Sequence, residues 1–457
     1  MAVQNLVRTD IRSIFSLSVP MLASLLLEQL IGLTDIIFLG RVSEISVGAA
    51  AIGGIAFFVL TMIAFGYCIA SQSLMGQANG RRDYREIGNV FHQSALFLAM
   101  MCALIMLALP FCMEGFFNLV VQSDEVRAEA QSYFFWRTIG IGFAFGAGIF
   151  RGFFLSILQP KVLTYSSVVM VLSNCILNYF LIFGFGPIPA LGIAGAAIAS
   201  TLAEILTFIF FVIYAVKRKH HQKYGIFDWF GFDKRLQIAL FKLGRWMMLQ
   251  EIVIMSSWFF FFVFVEHMSE RSLAISNLVR SVSNLLFLFV HAFGATCGSI
   301  GANLLGENRA NEIDGMMKNG LKLSFMITAP ICLLIGIWPE PVLSLFTNIE
   351  ELSAAAVTSV RVMLLGYAIC IPAVHYFSVF GFLGCTRESL IASSFTSIAY
   401  AAYAWVASVS VDDVALVWTA DAFYYACLGV FVIYYWRNAS WRVALGKEKS
   451  PLQSHTH

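Results

Sequence analysis

A carboxylate lies among apolar residues near the end of the first long apolar stretch of the chain. Asp35 lies in Gly32-Leu33-Thr34-Asp35-Ile36-Ile37-Phe38, with apolar neighbours on either side. Burial in an apolar surrounding disfavours the ionised form of a carboxyl group. Such a group can load a proton from one side of a barrier and release it on the other. Asp35 is therefore our candidate for proton coupling; the competing interpretation is an aspartate at the end of a helix, because Gly40-Arg41 follows closely.

Four other residues could act together with this carboxylate. Pro20 stands 15 residues earlier, where a proline inside a helix removes one hydrogen bond and permits a bend. Asn174 and Asn178 are four residues apart and so share one helix face, from which they could hydrogen-bond a carboxylate. Thr201 ends a stretch of small residues suited to close helix packing. Each has a structural alternative. Pro20 could cause a static kink, the two asparagines could join neighbouring helices, and the Thr201 hydroxyl could bond to its own helix.

Five further ionisable residues fall inside apolar stretches. Ionisable groups are costly in a membrane and mark functional positions by default. Each is a candidate for ion coupling, for one half of a buried ion pair, or for the wall of a water-filled cavity. They are Glu28, Glu204, Glu251, Arg280 and Asp421. We predict no metal site, no cofactor and no catalytic residue, because the sequence has neither a nucleotide-binding loop nor a cluster of metal ligands.

The composition shows which elements must position these residues. Of the 457 residues, 59% are hydrophobic and only 12% are charged, whereas a soluble domain is about one quarter charged. The chain is therefore an integral membrane protein, which excludes soluble enzymes. The net charge of +2 gives no basic surface for nucleic acid.

Apolar windows between charged or Gly/Pro-containing breaks predict an all-α polytopic protein with 12 transmembrane helices. Basic residues collect in the loops of one side, which predicts a multi-pass protein of the cell (inner) membrane with both termini in the cytoplasm. The predicted spans are 11–39, 46–72, 87–110, 128–154, 162–185, 191–216, 237–265, 272–298, 314–338, 353–382, 389–410 and 413–436.

The two halves of the chain resemble each other at an offset of 226 residues. Matched positions include Phe38 with Phe264 and Gly140 with Gly366. We expect an N-terminal lobe of six helices in residues 1–220 and a C-terminal lobe of six in 221–457. Two bundles that rock around a central cavity can open it to each side of the membrane in turn, which is the mechanism of alternating access. The repeats are chemically unequal, because Phe261 stands at the position that corresponds to Asp35.

The ensemble of motifs resembles the multidrug and toxic compound extrusion (MATE) family, and within it the DinF-like prokaryotic branch. The resemblance covers about residues 10–436. It includes the duplication of a six-helix unit, the first helix with Pro20 and Asp35, the loop Gly76-Gln77-Ala78-Asn79-Gly80, and the segments that begin at Asn174 and Gly192. It implies a V-shaped pair of lobes that exports drugs in exchange for H⁺ or Na⁺.

In that branch the implied protonation site is Asp35, with partners at Asn174, Asn178 and Thr201, and protonation bends the first helix at Pro20. Some relatives carry an aspartate where Asn178 stands. That departure leaves a single acid, which favours H⁺ over Na⁺ in this lobe. Glu251 resembles the seventh-helix glutamate of the sodium-coupled branch, so a second coupling site stays open.

We therefore expect a monomeric multidrug antiporter, not an enzyme, that is embedded in the lipid bilayer and exports small amphipathic or cationic organic compounds in exchange for protons. Na⁺ remains an alternative coupling ion. Two other functions stay open: a flippase for lipid-linked precursors of the same superfamily, and, from another class, a membrane-embedded glycosyltransferase. The flippase needs deep cations, for which Arg245, Arg280 and Arg361 are the candidates in the C-terminal half.

Overall fold

The computed structural model describes residues 7–187 and 189–437, and long helices make up most of both ranges. The first half of the chain contains α1 (Ile11–Leu39), α2 (Glu44–Arg81), α3 (Tyr84–Val120), α4 (Asp124–Ile139), α5 (Ile141–Ser156), α6 (Lys161–Phe183), α7 (Gly192–Lys217) and α8 (His220–Tyr224).

The second half follows the same order of long helices. It contains α9 (Lys234–Met268), α10 (Glu270–Gly306), a 3₁₀ turn (Ala310–Glu312), α11 (Ile313–Ile337), α12 (Glu340–Leu343), α13 (Glu350–Phe382), α14 (Thr386–Ser410), α15 (Val414–Val417) and α16 (Thr419–Arg437). Helices dominate because apolar segments in lipid must satisfy their backbone hydrogen bonds internally.

The prediction of twelve membrane spans is confirmed, with one change. Eleven helices in the described ranges are long and apolar enough to cross a membrane, and the bent pair α4–α5 makes a twelfth. The expected continuous span 128–154 is wrong in this respect, because α4 and α5 meet at Gly140 with a bend of 51°. The Gly140 amide bonds to Arg137 rather than one residue further back, which tightens the last turn of α4.

The internal repeat is visible in how corresponding helices begin. Ser43 caps α2 and accepts a hydrogen bond from the backbone nitrogen of Ser46 at 3.0 Å. Ser269, 226 residues later, caps α10 in the same way through Ser272, again at 3.0 Å. A serine at this position satisfies a backbone donor that the helix leaves free. The two halves therefore start their second long helix with the same local chemistry.

The described residues divide into two compact units. One comprises Ala23–Gly244, and the other comprises residues 7–22 together with 245–437. Helices α1 and α9 are each shared between the units, since the division falls within both of them. The division of the sequence into lobes 1–220 and 221–457 stays a prediction.

Each unit has a core rich in aromatic rings. In the unit Ala23–Gly244, Phe150 stacks on Phe211 with ring centres 5.7 Å apart, and Phe153 meets the edge of Tyr224 at 5.3 Å. In the other unit, Phe261 stacks on Tyr400 and meets Trp418 edge to face. These arrangements suit the charge distribution of aromatic rings, and they fill the helix interfaces closely.

Candidate functional site

Asp35 lies in the last turn of α1 and accepts two hydrogen bonds. The Asn178 side-chain nitrogen, Nδ2, donates to Oδ1 at 2.6 Å, and the Ser200 hydroxyl donates to Oδ2 at 3.1 Å. The partners come from α6 and α7, so three helices meet at this carboxylate. Two donors aimed at the two oxygens match the needs of an ionised carboxylate.

The two asparagines extend these contacts into a network. Both side chains are fully buried, and Asn178 Nδ2 also donates to Asn174 Oδ1 at 3.1 Å. Asn174 in turn donates to the Ser200 hydroxyl at 3.0 Å and accepts from Thr34 at 3.1 Å. The Oδ1 atom of Asn178 is buried and has no hydrogen-bond partner among the described residues. Asn178 Oδ1 is thus an acceptor beside Asp35 that this arrangement of the network does not use.

A close crossing of α6 and α7 brings the partners of Asp35 together. A Cβ atom at Gly195 would lie 2.3 Å from the backbone oxygen of Leu181, so only glycine fits there. This contact brings the backbones of the two helices together one turn before Ser200. The small residues that precede Thr201 in the sequence therefore serve helix packing, as their composition indicates.

Thr201 lies beside the network and bonds elsewhere. Its hydroxyl donates to the backbone oxygen of Trp136 in α4 at 3.0 Å. Its methyl group fills the space beside Gly140, where a Cβ would lie 2.4 Å from Thr201 Cγ2. Sequence reasoning chose Thr201 and missed Ser200 and Thr34, although all three hydroxyls lie in or beside the segments it examined. Helical spacing alone does not tell which of two adjacent hydroxyls faces the carboxylate.

Glu204 forms one buried ion pair of this unit. Arg137 donates to its Oε1 at 2.8 Å, and the exposed fractions of the two side chains are 12% and 9%. The guanidinium of Arg137 also lies over the ring of Phe57, 4.0 Å from the ring centre. Of the three alternatives that the sequence left open, the structure shows the ion pair.

Glu28 forms a second ion pair, with Arg151 of α5. The same carboxylate oxygen accepts from Ser167 at 2.8 Å and from Ser24 at 3.2 Å. Glu28 precedes Asp35 by two helical turns and so lies on nearly the same face of α1.

Sequence reasoning missed both arginines that pair with these glutamates. Arg137 and Arg151 lie within the predicted fourth span, where the rule applied to the carboxylates would have found them. They stand on opposite sides of the break at Gly140, one in α4 and one in α5.

In the other unit, Arg280 and Asp421 form a buried pair. Arg280 donates to the two carboxylate oxygens at 3.1 and 3.5 Å, and Tyr400 donates to one of them at 3.0 Å. The guanidinium also lies near the ring of Trp418, 4.6 Å from its centre. Two of the five further ionisable residues, Arg280 and Asp421, are therefore each other's partner.

Glu251 and Pro20 have simpler surroundings. Glu251 lies in the middle of α9 and takes part in no ion pair within the described ranges; its charge acts on Tyr424 of α16. Pro20 lies inside α1, which runs without a break from Ile11 to Leu39. Its function as a bend stays a prediction.

A protein-family model matches both halves of the chain. The model described as MatE matches the chain twice, over residues 20–180 and 247–406. Together these matches cover well over half of the chain. The chain belongs to the MatE family. The double match also confirms the internal repeat, since the second match begins 227 residues after the first.

Curated relatives of this MatE chain are named as drug-resistance proteins. It is 24% identical over 343 residues to "Probable multidrug resistance protein YoeA" of Bacillus subtilis, covering 74% of each chain. It is 23% identical over 438 residues to "Probable multidrug resistance protein NorM" of Neisseria meningitidis serogroup B, covering 90% of this chain and 94% of that one.

Solved structures show the same fold. The MatE chain matches an "outward-facing conformation of a multidrug resistance MATE family transporter of the MOP superfamily" with a TM-score of 0.88 and 18% identity, over 98% of this chain and all of the other. A MATE protein crystallised with MaD3S matches with a TM-score of 0.87 and 19% identity, also over 98% of this chain. The predicted fold class is confirmed.

These findings establish the class of protein. The MatE family consists of transporters, so the chain is a multi-pass membrane transporter and not an enzyme. Within residues 7–187 and 189–437, no three His, Cys, Asp or Glu side chains are grouped so that they could hold a metal ion.

Proposed function

We propose that this MatE transporter exports small amphipathic organic cations from the cell membrane in exchange for protons. The observation that carries the proposal is the Asp35 carboxylate, which lies near the end of α1 and is held by neutral donors from two other helices. Such a site tolerates the ionised form when the network is closed and the protonated form when it rearranges. Substrate binds to the ionised form, and proton loading releases it.

The ion pairs of the unit Ala23–Gly244 single out Asp35. Glu28 and Glu204 are each neutralised by an arginine. Asp35 forms no ion pair with any described residue. Among these three carboxylates one uncompensated negative charge remains, which either one proton or one monovalent organic cation can neutralise. The competition between the two is the basis of exchange.

Protonation changes what the carboxyl group can offer to its neighbours. The ionised group only accepts hydrogen bonds, whereas the protonated group also donates one. Asn178 Oδ1, the buried acceptor without a partner in the described ranges, can receive that bond once the amide turns over. The turn withdraws Nδ2 from Asn174, so the network that joins α1 to α6 rearranges. Bending of α1 at Pro20 then moves this part of the helix.

The site favours H⁺ over Na⁺. The groups nearest the Asp35 oxygens are an amide nitrogen and a hydroxyl that donate to them. A bound Na⁺ needs several oxygen ligands, and Asn178 supplies an amide where a second carboxylate would add charge. A proton needs only the carboxylate itself.

The remaining features of the proposal follow from the family and from loop charges. The relatives named as multidrug resistance proteins support drug-like substrates. The basic loops support a position of both termini in the cytoplasm. Alternating access by the two repeats, in a monomer, completes the cycle.

The ion pair in the second unit favours drug export over the flippase alternative. A flippase for lipid pyrophosphates needs free cations deep in the protein. Arg280 is already neutralised by Asp421, and the Arg361 side chain bonds to the Gly336 backbone oxygen at 3.1 Å.

Glu251, which has no cationic partner in the described part of the chain, is our proposed second carboxylate for coupling.

The direct test is Asp35→Asn in proteoliposomes that contain the full chain. Ethidium should evoke proton release from wild-type protein, with the same amplitude in Na⁺ and in Na⁺-free buffer. The variant should bind ethidium weakly at every pH and release no protons. Asp413→Asn is the matched control, because Asp413 only caps α15. Wild-type proton release by Asp35→Asn would reject the proposal. A strict need for Na⁺ in the wild-type protein would show that Na⁺, and not H⁺, is the coupling ion.

A further inference from the structure

One face of α7 holds two polar side chains on neighbouring turns. Ser200 and Glu204 are four residues apart, so their side chains lie one above the other. Ser200 donates to Asp35, and Glu204 accepts from Arg137. Side chains in this relation are separated by about 5–6 Å at Cβ. The helix therefore holds Asp35 of α1 and Arg137 of α4 beside each other.

The pair of Arg137 and Glu204 is only half satisfied. Arg137 Nη1 and Glu204 Oε2 are buried, and neither has a hydrogen-bond partner among the residues that the structure describes. The hydrogen bond between the two side chains runs from Arg137 Nη2 to Glu204 Oε1, and the guanidinium lies over the ring of Phe57. A buried guanidinium with unused donors can serve a second acceptor without leaving its first.

Arg137 lies close enough to Asp35 for the two charges to interact. The Arg137 charge acts on Asp35, and the Asp35 charge acts on Glu204 in return. Titratable and polar groups face this site from α1, α4, α6 and α7, and one of them is bonded to α5. The groups are Arg137 and Tyr133 from α4, Glu204 from α7, neutral Asn174 and Asn178 from α6, and Glu28 of α1, itself bonded to Arg151 of α5.

We propose that Arg137 and Glu204 are positioning residues that set the pH at which the transporter exchanges proton for substrate. This inference rests on the proposed function of Asp35. When Asp35 is ionised, two carboxylates attract one guanidinium. When Asp35 is protonated, Glu204 holds the guanidinium alone. The balance between these states fixes the proton affinity of the site, and each member of the pair pushes that balance in the opposite direction.

The experiment is a charge-removal cycle on the full chain, purified in detergent, with ethidium binding measured from pH 5 to pH 9. Arg137→Gln removes the supporting cation and should move the midpoint of pH-dependent binding up by about one pH unit. Glu204→Gln leaves the cation to Asp35 alone and should move it down by a similar amount. The double variant replaces a neutral pair by a neutral pair and should return close to wild type. Arg137→Lys keeps the positive charge, so its midpoint should stay close to that of the wild type.

The control pair is Arg81 and Glu86, which are bonded at 2.7 Å in the α2–α3 connection. Removal of both charges there should leave the midpoint where it is. A purely structural pair would lower the thermal stability of both single variants and shift neither midpoint. That result, or shifts of the same sign, overturns the inference. If Arg137→Gln fails to give monodisperse protein, Glu204→Gln decides alone, and a midpoint that stays or rises overturns it.

Failure of the inference is distinguishable from failure of the proposed function. If Asp35→Asn keeps wild-type pH dependence, the function of Asp35 is rejected, whatever the arginine does. If Asp35→Asn abolishes the pH dependence but the two single variants shift nothing, Asp35 retains its function and the pair does not tune it.

Discussion

At the scale of single residues, two adjacent hydroxyls on α7 have different functions. Ser200 donates to the Asp35 carboxylate, whereas Thr201 donates to the Trp136 backbone and fills the space at Gly140. Successive residues of a helix point about 100° apart, so neighbours in sequence face different helices. The proton coupling that we propose therefore depends on Ser200, and the packing of α4 against α7 depends on Thr201.

We predict that Ser200→Ala and Thr201→Val separate these functions. Ser200→Ala removes a donor that stabilises ionised Asp35, so ethidium binding should reach its midpoint at a higher pH. Thr201→Val keeps the shape and should leave that midpoint unchanged, while the melting temperature falls because a buried hydrogen bond worth about 1 kcal/mol is lost. Binding titrations and thermal melts on both proteins check this. A midpoint that moves only in Thr201→Val would show that the assignment is reversed.

At the scale of elements, glycines decide how closely the helices of the site approach. Gly195 lets α7 contact the α6 backbone, and Gly140 marks the break between α4 and α5. Without a hydrophobic drive between helices in lipid, such close packing supplies much of the association energy. The carboxylate network is thus held by contacts that carry no charge.

We predict that Gly195→Ala destabilises the protein by about 1–3 kcal/mol, because the added methyl group overlaps the Leu181 carbonyl. The crossing would have to open, so proton-coupled transport should weaken as well. Gly115→Ala in α3 is the control, since nothing lies within 4 Å of its added Cβ. That variant should be neutral or slightly stabilised, as alanine favours helices. Equal melting temperatures for the two variants would contradict the close crossing.

At the scale of the whole molecule, the two repeats share their helices but not their chemistry. At the 226-residue offset, Asp35 corresponds to Phe261 and Asn174 to Tyr400. Phe261 and Tyr400 stack on each other, and Tyr400 donates to the Arg280–Asp421 pair. One repeat thus holds a lone carboxylate, and the other holds a neutral ion pair among aromatic rings at related positions.

We predict that the Arg280–Asp421 pair contributes to stability mainly as a unit. Arg280→Met alone leaves the buried Asp421 charge unpaired and should cost about 3–5 kcal/mol. Arg280→Met combined with Asp421→Leu removes both charges and should restore much of that loss. Chemical or thermal unfolding of the purified proteins measures the difference. If the double variant is less stable than the single one, the pair does not behave as a buried ion pair.

The sequence alone determined the class of the protein, its helical spans and the repeat, and it marked Asp35 as the candidate for coupling. These follow from local composition, because lipid accepts only apolar helices and makes each ionisable residue conspicuous. The tertiary structure decided which hydroxyl reaches Asp35, which arginines neutralise Glu28 and Glu204, and where the fourth span breaks. Those contacts join residues up to 165 positions apart, as between Asp35 and Ser200, and they depend on how the helices rotate and cross. The spacing of residues within one helix fixes the face they share, but it does not fix which helix that face meets.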